Sequence, residues 1–324
     1  MKNKKRMLRA AACIGMGVLI LSTAVFANID NAGGYSVVKS AVKDMCYRDN
    51  FTAAGSYSLE LDGNELMRAE AGLMTNGGGE PSEREYSKTY ITNSVGESEL
   101  TNESERVLQN GYRYNSYYDI NYEPETSKTV YYDGEYSGGG LLGDDPELID
   151  KQINFMEAIA DSLIGDIKNN FVMTGAENGR SYAVNMSGEQ LPKYISAGLS
   201  LVCSSMRQSG ANALDDGPDS ELSVFNELFL NEREPYVKEV NAEFDTDDSG
   251  RLSRAAVNVV LCGYDSSGSE REASFKMELN ISDFDTTVIE PVNPNEYVSV
   301  DAAYAESAEV TVSSEDGEST VVIP

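Results

Sequence analysis

Apolar and polar residues alternate with a period of two along much of the chain, and this pattern predicts β-strands. The alternation in 57–61 ends at the turn dipeptide Asp62-Gly63 and resumes at Leu66, which predicts a hairpin. Three longer alternating segments near the C-terminus predict an antiparallel meander. The predicted strands after the first hairpin are Tyr86–Thr92, Glu105–Leu108, Tyr112–Tyr122, Val130–Tyr132, Phe171–Thr174, Ser181–Met186, Tyr236–Phe244, Leu252–Tyr264 and Arg271–Ile281.

Four other segments repeat their apolar residues at helical spacing. The predicted helices are Tyr35–Asn50, Ile149–Leu163 after the helix-starting Asp145-Pro146, Leu191–Met206, and Glu221–Leu230. Ser187 and Gln190 have the spacing of a capping box ahead of the third. Strands followed by helices, then more strands, predict an α+β fold in which helices cover one face of an antiparallel sheet.

The first 27 residues have the three parts of an export signal. A basic head precedes an apolar run, Ala10–Ala27, that closes with the small-residue exit Val25-Phe26-Ala27. The run is close to the ~18 residues that a membrane-spanning helix needs, so an uncleaved anchor is the alternative to a cleaved signal peptide. We therefore expect residues 1–27 to be a signal peptide or N-terminal membrane anchor and residues 28–289 to be a single ectodomain outside the cytoplasm.

Charge and composition restrict the function classes. The chain has a net charge of −29, and no acid lies among the first 27 residues, so the remainder is more acidic still. Such a surface repels nucleic acid. The chain has no histidine, which excludes Ser-His-Asp catalysis and histidine zinc sites. Residues 290–324 contain eight acids and no base, which predicts an acidic, mostly disordered tail.

The three cysteines after the signal, Cys46, Cys203 and Cys262, allow at most one internal disulfide. The segment Asp245–Leu252 begins like a calcium loop, but position twelve of that loop is Ala256 instead of an acid. A polar hairpin turn explains the same residues, and we expect neither a metal site nor a cofactor.

The candidate ligand-binding residues are four tyrosines of one predicted strand: Tyr112, Tyr114, Tyr118 and Tyr122. All have even numbers, so one face of the strand would carry them. Tyrosine joins an apolar ring to a hydroxyl group, which suits a ligand groove or a partner surface. Aromatic packing between neighbouring strands is the alternative and requires no ligand.

The order of elements resembles the lipoprotein-carrier family, together with related mycobacterial lipoproteins and envelope-stress sensors. That resemblance implies a curved antiparallel sheet, an open half-barrel, covered by helices on one face and able to hold a lipid or acyl chain. Tyr35–Thr52, Ala158–Lys168 and Gly188–Leu199 also resemble segments of exported or membrane-anchored proteins of Gram-positive bacteria.

Three functions remain open. The first is a non-enzymatic extracytoplasmic module that binds or senses a hydrophobic or cell-envelope ligand, such as a lipid or an envelope protein. The second is a surface protein that binds a partner through its tyrosine face or acidic tail. The third, a carboxylate-based hydrolase, would require two acids in different environments of one cleft. In each case the membrane would be contacted only through the N-terminal segment.

Overall fold

The computed structural model describes residues 33–78, 81–93, 96–120, 123–134, 147–155, 171–173, 180–191, 235–265, 267–300, 309–314 and 317–322. The helix α1 spans Gly33–Cys46, and residues 147–155 are also helical. The strands are β1 Asn50–Leu61, β2 Asn64–Asn76, β3 Ser82–Thr92, β4 Ser98–Gln109, β5 Tyr112–Asp119, β6 Glu123–Tyr132, β7 Phe171–Met173, β8 Arg180–Ser187, β9 Tyr236–Thr246, β10 Leu252–Tyr264, β11 Glu270–Ser282, β12 Val298–Ser299, β13 Glu309–Ser314 and β14 Gly317–Val322.

Twelve of these strands form one sheet, in the order β12-β6-β5-β4-β3-β2-β1-β11-β10-β9-β8-β7. Two antiparallel meanders, β1–β6 and β7–β11, join where β1 pairs with β11. The sheet is open because β7 and β12 are its two edges, and β-bulges bend it at Leu59/Glu60, Thr89/Tyr90 and Tyr117/Asp119. This curved, open antiparallel sheet with a helix on one face confirms the predicted fold class.

The main core lies between α1 and one side of the sheet, which we call the inner face. Val38, Ala41 and Met45 of the helix are buried against apolar residues of the second meander. Alternate residues of β10 supply the sheet side of this core: Ala255, Val257, Val259 and Leu261. They share one face because side chains of a strand alternate between the two sides of the sheet.

Several predicted elements are confirmed. The first hairpin turns at Asp62-Gly63, both with positive φ (49° and 81°), and β10 has the predicted bounds. Other predicted bounds are wrong: α1 ends at Cys46 because Asn50 already begins β1, and β5 ends at Asp119 instead of Tyr122. The strands β3, β4 and β6 begin several residues earlier than predicted. The predicted helices Leu191–Met206 and Glu221–Leu230 lie almost wholly outside the described residues.

After β11 the chain runs along the sheet as a C-terminal strap, residues 283–300. Asp285 N donates to Asn50 O at the start of β1 (3.0 Å), and Val292 N donates to Gln109 Oε1 at the end of β4 (3.2 Å). The strap ends as β12, parallel to Thr129 and Val130 of β6. The domain boundary predicted between residues 289 and 290 stays a prediction and falls within this strap. Strands β13 and β14 form a separate hairpin.

No helix within the described ranges is long and apolar enough to cross a bilayer. Residues 1–27, the predicted export segment, lie outside those ranges.

Candidate functional site

The middle of the inner face carries an apolar floor whose side chains are only partly buried. Its members lie on β1, β2 and β11: Gly55, Tyr57, Ala71, Leu73, Met277 and Leu279. Gly55 is paired with both Ala71 and Leu279, so the two smallest residues lie side by side. Ala71 is exposed although it lies on the same face as the core. The floor is therefore a shallow apolar area with longer side chains around it.

The same face becomes polar where β3, β4 and β5 follow β2. We call this region the polar wall; it consists of Glu83, Glu85, Ser87, Asn102, Ser104, Arg106, Asn115, Tyr117 and Asp119. Ser87 Oγ and Ser104 Oγ are 2.8 Å apart. Asn102 Nδ2 donates to Tyr117 Oη (3.0 Å), and this hydroxyl donates to Asp119 Oδ2 (3.1 Å). Hydrogen bonds across the strands thus satisfy many of its polar groups.

An ion cluster lies on the polar wall. Arg106 Nη2 is 2.6 Å from Glu85 Oε1 and 3.3 Å from Glu83 Oε1. Burial raises the pKa of Glu85, and the charge of Arg106 opposes that rise. Arg106 Nε and Arg113 Nε are buried without an acceptor. These two donors on neighbouring strands could bind an oxygen of a ligand.

The structure places Tyr112, Tyr114 and Tyr118 on the opposite, outer face of β5, as the alternation predicts. The rings of Tyr112 and Tyr132 pack edge to face at 5.3 Å, and those of Tyr114 and Tyr297 at 5.2 Å. The rings of Tyr112 and Tyr114 are 6.5 Å apart, Tyr118 lies farther along the same face, and Tyr122 lies outside the described residues. Their binding of a ligand stays a prediction.

On the outer face, six residues form a row that runs across the strands, and we call it the transverse row. It lies at the end of the sheet along which the strap runs. Its members are Asn50, Asn76, Ser82, Gln109, Tyr112 and Tyr132, each opposite the next on a neighbouring strand. A cavity of about 230 Å³ opens beside this row. Its lining comprises Asn76, Ser82, Gln109, Asn110, Val288, Ile289 and Pro291.

The segment that resembles a calcium loop forms a hairpin turn. Asp247 Oδ1 accepts hydrogen bonds from Ser249 N and Arg251 N, both at 2.9 Å, and Asp247 Oδ2 pairs with Arg251 Nε at 2.8 Å. In the described part of the chain, no cluster of three or more acids or cysteines is arranged to hold a metal ion.

Cys46 and Cys262 are free thiols, and burial raises the pKa of both. Cys203, the third cysteine of the predicted ectodomain, lies outside the described residues.

Sequence analysis missed the polar wall and the transverse row. The segment Ser98–Glu105 has few apolar residues, so its strand pattern is weak. One signal could have located the row: Asn110-Gly111 is a hairpin dipeptide, and both residues have positive φ (54° and 77°). It fixes the pairing of Gln109 with Tyr112.

The chain matches no family model and no curated protein sequence. Similar solved structures include Rv2717c from Mycobacterium tuberculosis, 7% identical over 75% of this chain and 97% of that chain, with a TM-score of 0.18. A LolA superfamily protein from Nitrosomonas europaea is 9% identical over 82% and 98%, with a TM-score of 0.16. A candidate outer membrane lipoprotein-sorting domain from Vibrio parahaemolyticus is 8% identical over 79% and 94%, with a TM-score of 0.12.

Proteins of the predicted resemblance are thus among the similar structures. The TM-scores are too low for the likeness to support a conclusion about this chain, so the fold class follows from the described sheet alone. Export and a Gram-positive origin stay predictions.

Proposed function

We propose that the chain is a non-enzymatic module that binds an amphipathic, lipid-like ligand on the inner face of its sheet. The observation that carries the proposal is the junction of the apolar floor and the polar wall on one face, at the boundary between β2 and β3. An acyl chain would lie on the floor, where burial of apolar surface stabilises it by about 25 cal/mol per Å². The polar end of the ligand would then contact the wall.

The polar wall supports this orientation. Arg106 Nε of the wall is a buried donor without an acceptor, and so is Nε of Arg113, which lies beside Asn115 of the wall on the same face of β5. A carbonyl or ester oxygen of the ligand would satisfy such a donor. The acids of the wall are paired or hydrogen-bonded: Glu83 and Glu85 with Arg106, and Asp119 with Tyr117. This pairing favours a binding role over a carboxylate-based hydrolase.

Location outside the cytoplasm is part of the proposal and rests on the export segment at 1–27. N-terminal sequencing of the protein from an exporting host would test it. A mature chain that begins at Asn28 would support a cleaved signal, and a chain that keeps its first residues in the membrane fraction would support an anchor.

Native mass spectrometry of the protein from an exporting host, followed by organic extraction, tests the ligand. We expect a bound species with an acyl chain. In Ala71→Phe the new ring would cover the floor, and we expect that species to be lost. Ala256→Phe is the matched control, because Ala256 is likewise a strand alanine that is not fully buried, but it lies on the outer face of β10. A clean unliganded mass for the unchanged protein would contradict the proposal and favour the alternative, a surface that binds a protein partner.

A further inference from the structure

We propose a second binding site, on the outer face: the cavity beside the transverse row binds a neutral saccharide, and Tyr112 and Tyr132 stack on its sugar rings. This site is separate from the inner face and does not depend on the lipid proposal. Four features support it: fixed amide donors, an uncharged lining, exposed rings that are held in place, and the size of the cavity.

The amide of Asn76 has one orientation only. Gly78 N donates to Asn76 Oδ1 at 3.1 Å, and a backbone N–H requires an oxygen as acceptor. Asn50 Nδ2 donates to the same oxygen at 3.0 Å, while Asn50 Oδ1 accepts from Thr287 N at 2.9 Å. The strap therefore fixes Asn50, which in turn fixes Asn76. The NH₂ group of Asn76 is left without a partner in the described residues.

Gln109 is fixed by the same logic. Its Oε1 accepts from Val292 N of the strap at 3.2 Å, which fixes the other side of the amide as the NH₂ group. No described residue accepts a hydrogen bond from this group either. Two oriented amide donors thus line one cavity, with Ser82 between them in the row. Each is available to a hydroxyl or carbonyl oxygen of a ligand.

The lining selects against ions. None of the seven lining residues is charged, and three of them, Val288, Ile289 and Pro291, are apolar. The chain as a whole has a net charge of −29, which repels anionic ligands. A neutral ligand with many hydroxyl oxygens and apolar C–H faces fits this combination.

The two rings next to Gln109 in the row form a prearranged surface. Tyr112 is 44% exposed and Tyr132 is 58% exposed, although their rings pack together. The ring of Tyr132 also lies against Gly111, where an added Cβ would come within 2.9 Å of it. Rings that are held in place and exposed lose little conformational entropy when a ligand stacks on them.

The volume limits how much of the ligand can enter. The cavity measures about 230 Å³, below the roughly 300–1,000 Å³ of pockets for drug-sized ligands. It would hold one sugar unit, while the next unit of the chain lies over Tyr112 and Tyr132.

Calorimetric titration with tetra-N-acetylchitotetraose and with cellotetraose, two neutral saccharides, tests the site. The key variant is Gln109→Glu, because the carboxylate keeps the acceptor for Val292 N and lacks the amide donor. We expect the protein to bind at least one of the saccharides, and Gln109→Glu and Tyr132→Ala each to weaken it about tenfold, the effect of one lost interaction of this type. Tyr118→Ala is the control, since Tyr118 lies on the same face of β5 about 20 Å along the strand.

An unchanged unfolding midpoint shows that each variant is folded. Absence of binding by the unchanged protein at millimolar saccharide would overturn the proposal. The proposal would also be overturned if Gln109→Glu bound the saccharide as tightly as the unchanged protein does. Binding of a neutral alanine–glycine peptide, with neither saccharide bound, would overturn it too.

Discussion

The second meander and the strands β4–β6 of the first meander differ in where they bury apolar residues. In β8–β11 most buried apolar side chains lie on the inner face, under α1. In β4–β6 the inner face is largely polar apart from the buried Leu108 and Tyr131, and Val107 (1% exposed) and Val130 (9% exposed) are buried on the outer face. Between these two valines lies Tyr114, on which the ring of Tyr297 from the strap packs.

This difference shows how one sheet can keep a polar surface next to its core. A sheet needs a second layer on at least one face, because only packing against another element buries its apolar side chains. The helix supplies that layer for the second meander and for the neighbouring strands β1 and β2, and the strap supplies it for β4–β6. Because the strap covers the outer face of β4–β6, the inner face of these strands is free to carry the polar wall.

The core under α1 should contribute most to stability. Phe51 of β1 is fully buried there, so Phe51→Ala should lower the free energy of unfolding by about 3–5 kcal/mol, through lost burial and a cavity. Urea titration measures it. Phe275→Ala is the comparison, since Phe275 packs against the same core but is half-buried and should cost less. An equal loss for both variants would contradict the view that the fully buried layer under α1 dominates.

The strap should contribute less, and only to the first meander. Tyr297→Ala removes the ring that packs on Tyr114 and also lies 5.5 Å from Lys128 Nζ, so we expect a loss of about 1–2 kcal/mol. Hydrogen exchange should show faster exchange in β5 and β6 and unchanged rates in β9 and β10. Val298→Ala is the control, because this neighbouring side chain is 67% exposed. If the exchange rates of both meanders increased by the same factor in Tyr297→Ala, the strap would support the whole sheet.

The sequence predicts β10 of the second meander better than β4 of the first, because apolar residues alternate strictly only where one face of a strand is buried. In β10, apolar residues alternate strictly because one face is buried, and the predicted bounds Leu252–Tyr264 are confirmed. In β4, both faces carry polar residues, and prediction recovers only Glu105–Leu108 of Ser98–Gln109. The cavity beside the transverse row depends on contacts between residues far apart in the chain, such as Gln109 with Val292, and no local pattern specifies such contacts. Local alternation did place Tyr112 and Tyr114 on one face.

The smallest expected effect concerns the polar wall: its contribution to the free energy of unfolding should depend on pH. Burial raises the pKa of Glu85 in the folded protein above its ordinary value of 4.5, despite Arg106. The folded state then holds a proton that the unfolded state has lost, so stability falls as the pH rises through this window. Because the carboxylate is about two-fifths exposed, solvent screening should keep the effect small.

Glu85→Gln should remove this contribution. The unfolding free energy of the unchanged protein should therefore fall relative to that of Glu85→Gln as the pH rises from 4.5, the ordinary pKa of a glutamate, through the raised pKa of Glu85. Arg106→Ala should move the window to higher pH, since Arg106 lowers the pKa of Glu85. Urea titrations across this range measure both. A difference that does not change with pH would show that Glu85 is as well solvated as an ordinary surface glutamate, and the polar wall would then be an open surface instead of the side of a ligand site.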